Sequence, residues 1–155
     1  WDKRQPLGNI TRLRGSIPIE HHYTVGVAGQ RFFDELRENK RLVASRCPGC
    51  GKAYLPPKMY CETCFRETTD WVPVTGHGTV QTFTILHRSL DEEPLNEPVI
   101  VAFITWDGFA GGLIHRLGGI SPGDVRIGLP VEAVWQEQRT GSVGDIVCFR
   151  PAGQA

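Results

Sequence analysis

The chain has 155 residues, and its seventeen basic side chains balance seventeen acidic ones, so that the formal net charge at neutral pH is zero. That balance provides no overall electrostatic attraction to nucleic acid or to an anionic membrane. No apolar run approaches the roughly 20 residues that a membrane-spanning helix needs. Eighteen glycines and eleven prolines favour many turns and short strands over long helices.

The first part of the chain predicts an arm followed by a helix. Residues 1–28 mix glycine, proline and charge with isolated apolar residues, without a sustained period. We interpret them as an extended N-terminal arm that either lies on another surface or packs on its own domain. Residues 29–42 are the good helix candidate, because Phe32, Phe33 and Leu36 recur at helical spacing. Acidic residues come early in this segment and basic residues late, as the helix dipole prefers.

Four cysteines follow in two matched pairs with ten residues between them: Cys47, Cys50, Cys61 and Cys64. Two Cys-x-x-Cys motifs at this distance can bring four thiolates onto one tetrahedral metal ion. A zinc ion held by four thiolates has no open position, so we expect one structural zinc per chain. Iron bound as in rubredoxin is an alternative that spacing leaves open. A redox or disulfide role is weaker, because the five cysteines are odd in number and we recognise no secretory signal segment.

The residues around the cysteine pairs support a zinc ribbon. Gly51 directly follows the first pair, where a left-handed backbone lets N–H groups point at the sulfurs without steric cost. Phe65 follows the second pair and is less suited to that conformation. Between the pairs, Pro56 and Pro57 exclude a central strand and indicate an edge or a connection back to the metal. Residues 43–70 are therefore predicted to form two knuckles at the ends of small antiparallel hairpins.

From Trp71 the pattern changes to short strands, and we assign residues 71–155 to a second domain. The strand candidates are Gly78–His87, Val99–Trp106, Phe109–Leu117, Val131–Gln136 and Asp145–Arg150. Five short strands punctuated by glycine favour a small closed barrel of the OB type, with a sandwich as the alternative. Cys148, the cysteine outside the pairs, lies in an apolar strand and is interpreted as a core residue.

This order of elements, a helix, a four-cysteine ribbon and a five-stranded barrel, resembles the DUF35 family of OB-fold, acyl-CoA-associated proteins. The resemblance covers about residues 29–151 and rests on Phe32-Phe33-x-x-Leu36, Cys47-Pro48-Gly49-Cys50-Gly51, Pro56-Pro57-Lys58, Cys61-x-x-Cys64, Gly76-x-Gly78-x-Val80 and Ile127-Gly128-x-Pro130-Val131. Lys58 stands where family members usually carry an arginine, and it lacks the planar fork of a guanidinium.

The resemblance implies a non-catalytic accessory subunit in the cytoplasm. Family members associate with thiolase-fold enzymes, thiolases or aldolases, that act on acyl-CoA thioesters; they help to hold coenzyme A and stabilise the catalytic subunit. We therefore expect a thiolase-fold partner in an α2β2 heterotetramer, with a role in β-oxidation-like degradation of aromatic or steroid acids. The partner would carry the catalytic groups, since the sequence offers no recognisable nucleophile–base motif and no phosphate-binding glycine motif.

Basic residues near the ribbon are the candidate contacts for the phosphates of coenzyme A: Lys58, Arg66, Arg46, Lys40 and Arg41. Phe32, Tyr54 and Tyr60 would supply apolar surface beside them. The alternative is that these are ordinary solvated charges. A competing function, a nucleic-acid-binding module built from an OB fold and a zinc ribbon, is disfavoured by the zero net charge.

Overall fold

The computed structural model describes residues 15, 20, 23–89 and 93–153, so most of the predicted N-terminal arm lies outside the described residues. Within these residues, one α-helix is followed by nine strands: α1 (Gly26–Asn39), β1 (Val43–Arg46), β2 (Ala53–Leu55), β3 (Asp70–Pro73), β4 (Gly78–Arg88), β5 (Pro94–Thr105), β6 (Phe109–Gly111), β7 (Leu113–Leu117), β8 (Pro130–Trp135) and β9 (Ile146–Pro151). The predicted fold class, mainly β with an N-terminal helix, is confirmed. No helix in these ranges combines the length and the apolarity that a membrane crossing requires.

Helix α1 begins and ends earlier than the predicted span of residues 29–42. It buries Phe32 and Leu36, as their spacing predicted, together with the carboxylate of Glu35. The helix ends because Lys40 adopts a left-handed conformation, with φ at 50° and ψ at 45°, and its backbone N–H bonds to the carbonyl of Glu35. This C-terminal cap turns the chain into the extended segment that enters β1.

The cysteine-bearing segment forms a small sheet with the strand order β3-β1-β2-β6. β1 pairs antiparallel with both β2 and β3, which supplies the predicted hairpin around the first cysteine pair. A short antiparallel bridge between Tyr60 and Glu67 closes the second knuckle in the same way. The two knuckles therefore lie at the ends of hairpins, as expected for a zinc ribbon.

The five remaining strands close into a barrel in the order β4-β5-β7-β9-β8. β7 and β9 close it through a parallel pairing of Leu117 with Phe149, and the other neighbouring strands run antiparallel. Closure excludes the sandwich alternative and is consistent with the OB-type barrel that the strand count favoured. The interior is filled by alternate residues such as Val80, Ile104 and Val131, all of which are fully buried.

The expectation of one return strand over Phe109–Leu117 is wrong. The segment splits at Gly111, whose φ of +93° only glycine adopts easily. At Gly112 a Cβ would lie 2.3 Å from the carbonyl oxygen of Ile104, so the chain passes too close to β5 to carry a side chain. The first half, β6, pairs parallel with β2 of the ribbon, while the second half enters the barrel as β7.

One continuous hydrophobic core joins the three parts of the molecule. It includes Phe32 and Leu36 from α1, Leu55 from the ribbon, and Ile104 and Phe149 from the barrel. Full burial of each such side chain contributes about 1.5–3 kcal/mol relative to exposure. A smaller cluster of Cys47, Tyr54 and Cys61 lies beside this core, under the metal-binding knuckles.

Candidate metal centre and the neighbouring cleft

The two cysteine pairs converge on one point. All four Sγ atoms lie within 4.8 Å of one another. The sulfurs of Cys47 and Cys64 are 3.4 Å apart, and those of Cys50 and Cys61 are 3.5 Å apart. Four sulfurs around a tetrahedral zinc at its usual bond length are separated by about 3.8 Å, so the spacing suits that ion. The donor set, four thiols with no oxygen or nitrogen ligand, also fits zinc or iron and not magnesium or calcium.

The two knuckles share one backbone geometry. Gly51 has φ at +75° and Phe65 has φ at +58°, so both residues that follow a cysteine pair are left-handed. The N–H of Gly51 donates to the carbonyl of Cys47 at 2.9 Å, and that of Phe65 donates to the carbonyl of Cys61 at 3.0 Å. The left-handed conformation predicted for Gly51 is confirmed. Phe65 adopts it at the steric cost that a side chain carries there, with its ring exposed to solvent.

Hydrogen bonds favour the ionised form of two of the four thiols. The Tyr54 hydroxyl is the main cause that lowers the pKa of Cys61 to about 5, and it is assisted by backbone N–H groups that include that of Thr63. The backbone N–H of Cys50 is the main cause that lowers the pKa of Cys47. These donors point at sulfur, which is the arrangement that stabilises thiolate ligands.

The proximity of the sulfurs opposes ionisation of the other two thiols. The backbone N–H of Arg66 lowers the pKa of Cys64, but the neighbouring Cys47 sulfur and burial more than offset this and raise the pKa to about 11. Like charges a few ångströms apart disfavour each other's ionisation. A divalent cation bound by these residues would supply the opposing charge that lets all four thiolates form together.

Tyr54 belongs to the metal centre and not to a surface. Only 1% of Tyr54 and 4% of Phe32 is exposed, so the expectation that both form part of an exposed coenzyme A surface is wrong. Of the three aromatic residues predicted to lie beside the basic candidates, Tyr60 is the exposed one, with 61% of its surface accessible to solvent. The sequence offers little indication that Tyr54 is buried, because a three-residue strand buried on both faces shows no alternation of apolar and polar residues.

The five basic candidates do not form one cluster. Arg41 precedes β1 and Arg46 ends it, a separation of about 16 Å along an extended chain. Arg41 already pairs with the buried Glu35 carboxylate at 2.5 Å. Lys58 pairs with Glu62, and its ammonium lies 5.3 Å above the Tyr54 ring. These contacts give Arg41 and Lys58 structural partners within the chain.

Arg66 and Arg46 lie on the ribbon, each exposed to solvent. The Arg66 side chain crosses Gly49 so closely that a Cβ at Gly49 would lie 2.7 Å from its Cδ. Arg46 pairs in the sheet with Ala53 on one side and Asp70 on the other. Together with Lys58, they form a ribbon group that is separate from Lys40 and Arg41.

Lys40 and Arg41 lie at a cleft between the end of α1 and the barrel, which we call the helix–barrel cleft. It has a volume of about 330 Å³ and is lined among others by His77, Trp106 and Trp135. Within the described part of the chain, no hydrogen bond or ion pair is recorded for the side chains of Lys40 and His77. The cleft therefore places the half-buried indole of Trp135 and the ammonium of Lys40 on one lining, which also includes Glu132, paired with Arg150.

The outer face of β4, β5 and β7 carries a shallower groove of 240 Å³. In OB folds this face is the usual platform for nucleic acid. Its lining is Thr82, Phe83, Thr84, Val101, Ala102, Phe103 and Ile114, which contains no basic residue. The neighbouring Arg116 donates to the carbonyl of Val147 at 2.6 Å. The lining of this groove therefore lacks the interleaved cations that a single-stranded nucleic acid requires.

Two family models match the chain in succession: the rubredoxin-like zinc ribbon domain of ChsH2 over residues 34–70, and the C-terminal OB-fold domain of ChsH2 over residues 71–136. A DUF35 domain-containing scaffold protein of Methanocaldococcus jannaschii is 29% identical over 120 residues, which is 77% of this chain and 84% of that protein. The chain belongs to the DUF35 family. The resemblance drawn from the sequence motifs is thereby confirmed.

One further relative and two solved structures are also similar to this chain. A probable enoyl-CoA hydratase alpha subunit of Thermomonospora curvata is 30% identical over 121 residues, 78% of this chain but 37% of that protein. A DUF35-family protein of unknown function from Sulfolobus solfataricus matches with a TM-score of 0.65 and 26% identity, over 81% of this chain and 84% of that one. A chain of the Ltp2-ChsH2(DUF35) aldolase matches with a TM-score of 0.60 and 29% identity, over 79% of this chain and 94% of that one.

Proposed function

We propose that this DUF35 protein is a non-catalytic scaffold subunit in a complex with a thiolase-fold enzyme, a thiolase or an aldolase, that acts on acyl-CoA thioesters. The observation that carries the proposal is the match to a chain of the Ltp2-ChsH2(DUF35) aldolase, which extends over 94% of that chain. The relative from Methanocaldococcus jannaschii, described as a scaffold protein, supports the same role. In this proposal two copies of each subunit assemble, and the partner carries the catalytic groups.

The metal centre serves this role as a structural clamp. We propose that Cys47, Cys50, Cys61 and Cys64 bind one zinc ion per chain, since their sulfurs converge within 4.8 Å. Four thiolates fill every position of a tetrahedral ion, so neither water nor substrate reaches the metal. The ion cross-links two hairpins whose cysteines Cys47 and Cys61 are buried. Metal binding therefore contributes directly to the stability of the ribbon.

The helix–barrel cleft is the better candidate for a contact with coenzyme A. Its half-buried indole, Trp135, can pack against a planar base, and the ammonium of Lys40 can face phosphate oxygens, while Arg41 remains paired with Glu35. The cleft volume suits one end of the ligand and leaves the rest of the thioester to the partner. The ribbon group, Lys58, Arg66 and Arg46, would then contact the remaining phosphate or the partner surface.

Co-expression with a thiolase-fold protein encoded beside this chain tests the scaffold role. We expect the two proteins to co-elute at the mass of two copies of each in size-exclusion chromatography with light scattering. We also expect the partner to gain activity or thermal stability when this chain is present. Separate elution, with no change in the activity or melting temperature of the partner, would contradict the proposal.

The cleft contact is tested in the same complex by charge reversal. Lys40→Glu places a carboxylate beside the proposed phosphate, so we expect the KM for the acyl-CoA substrate to rise several-fold while kcat changes little. Arg126→Glu is the matched control, because Arg126 is exposed and does not line the cleft. An equal rise in KM in both variants, or no rise with Lys40→Glu, would contradict the binding of coenzyme A in the cleft.

A further inference from the structure

A buried tyrosine lies against the metal centre and is not a metal ligand. Tyr54 on β2 is 1% exposed and packs with Cys47 and Cys61 in the small core under the knuckles. Its hydroxyl oxygen is 3.2 Å from the Sγ of Cys61. Within the described residues, Cys61 is the one cysteine of the four with a recorded hydroxyl neighbour. A phenol buried at this depth keeps a hydrogen-bond partner, and here a sulfur is that partner.

The neighbouring contacts favour donation from the Tyr54 hydroxyl to the Cys61 sulfur. The backbone N–H of Glu62 donates to the Tyr54 hydroxyl oxygen at 3.2 Å, so the hydroxyl accepts there. Its own proton is then directed to the Cys61 sulfur, which as a thiolate can only accept. The backbone N–H of Thr63 reaches the same sulfur at 3.4 Å. Cys61 thus receives two donors, one of them from a side chain that mutation can remove.

A cation strengthens this donor. The Lys58 ammonium lies 5.3 Å from the centroid of the Tyr54 ring. A positive charge over the ring withdraws electron density from the phenol and makes its O–H a better donor. Lys58 is held in place because Ser45 and Thr68 both donate to its backbone carbonyl, and its ammonium pairs with Glu62.

We propose that Tyr54 is a positioning residue of the metal centre: its hydrogen bond holds the Cys61 thiolate in the ligating position and thereby slows release of the bound ion. The same hydrogen bond withdraws charge from the sulfur, which gives the site a spectroscopic signature. Donors behind metal ligands typically change metal affinity by about 10–100-fold. The inference rests on the proposed zinc site, and it does not depend on the partner enzyme or on coenzyme A.

The first experiment compares Tyr54→Phe with Tyr60→Phe in the full chain, both loaded with zinc. Tyr60 is the matched control, since it lies on the same ribbon but is 61% exposed. We expect both variants and the parent to bind one equivalent, and only Tyr54→Phe to lose zinc to a colorimetric chelator about tenfold faster. In the cobalt-substituted protein, only Tyr54→Phe should shift the sulfur-to-cobalt charge-transfer band to longer wavelength, because the thiolate becomes a stronger donor. Equal release rates and equal spectra in the two variants would overturn the proposal.

Uniform incorporation of 3-fluorotyrosine keeps the inference testable if Tyr54→Phe fails to fold. The chain has three tyrosines, and fluorination makes each hydroxyl a stronger hydrogen-bond donor with little change in volume. We expect slower zinc release and a charge-transfer shift to shorter wavelength, with the same result in a Tyr60→Phe background. Unchanged release and an unchanged band would refute the role of Tyr54. A parent chain that binds no metal at all would instead contradict the zinc proposal itself.

Discussion

A buried carboxylate just before β9 offers a quantitative test of what stabilises the loop between β8 and β9. Asp145 is 2% exposed and ends a 3-10 turn, Val143–Asp145. Its Oδ1 accepts the backbone N–H of Thr140 at 2.8 Å, and its Oδ2 accepts that of Gly141 at 2.8 Å. A third N–H, from Ser142, reaches Oδ2 at 3.3 Å. One carboxylate therefore organises the whole loop.

Replacing Asp145 with asparagine keeps the size of the side chain and removes its charge. If the amide oxygen keeps the bond to Thr140, the amide NH2 faces the N–H groups of Gly141 and Ser142, which lose their acceptor. Hydrogen bonds to a charged group contribute about 1.5–3 kcal/mol each, and two are lost, one of them long. We expect Asp145→Asn to lower the free energy of unfolding by about 3 kcal/mol.

Urea unfolding of the zinc-loaded protein, followed by tryptophan fluorescence, measures this change. Asp124→Asn is the matched control, because Asp124 is exposed and has no recorded side-chain partner within the described residues. We expect the control to change stability by less than about 0.5 kcal/mol. A loss of similar size in both variants, or one below about 1 kcal/mol for Asp145→Asn, would refute the reasoning.

The pH dependence gives the same test a second readout. Burial alone raises the pKa of Asp145, but the backbone N–H groups of Thr140, Gly141 and Ser142 outweigh it and hold the pKa below its ordinary value. A depressed pKa means that the stabilisation is complete above the unfolded value of about 3.9 and is lost as the pH falls through the folded value. The stability difference between parent and Asp145→Asn should therefore be constant near neutral pH and shrink below about pH 4. Acid also displaces metal from the thiolates of both proteins. The test therefore compares the difference in their free energies of unfolding and not the stability of either protein alone.

Three further changes test other contacts. Glu35→Gln weakens the ion pair with the half-exposed Arg41, so urea unfolding should show a loss of about 1–2 kcal/mol; no loss would mean that Arg41 is free for a ligand. Gly78→Ala places a Cβ 2.5 Å from a barrel-core side chain and should cost about 1–3 kcal/mol in thermal unfolding, whereas Gly123→Ala, with open space around it, should be near neutral. Cys148→Ser should retain one equivalent of zinc by metal analysis; loss of the metal would contradict the four-cysteine ligand set.

The metal ligands could be predicted from sequence because their geometry is local. Each Cys-x-x-Cys pair is closed by a single turn, from Cys47 to Gly51 and from Cys61 to Phe65, so the spacing alone determines where the sulfurs point. Phe65 shows where residue type misleads. Phenylalanine is disfavoured in the left-handed region, but it adopts that conformation here because the knuckle requires it. Most of the barrel strands could also be predicted from the sequence, because their β-branched runs and glycine boundaries are local signals.

The errors arose where the outcome depends on distant neighbours. The split between β6 and β7 follows from the approach of Gly112 to the carbonyl of Ile104, which the sequence pattern around residue 112 does not encode. The burial of Tyr54 follows from the pairing of β2 with β1 on one side and β6 on the other.

The connection between the metal centre and the helix–barrel cleft bears on the scaffold role. The cleft borders Leu42, just before β1, and the first cysteine, Cys47, directly follows Arg46 at the other end of that strand. β1 is buried along most of its length and belongs to the core shared by helix, ribbon and barrel. Surfaces built on one packed core keep fixed relative positions, because close-packed interiors transmit displacement and do not absorb it. If zinc binds as proposed, the clamp at one end of β1 would therefore stabilise the position of Lys40 and Arg41 at the other, and a structural metal would influence the proposed contact with coenzyme A.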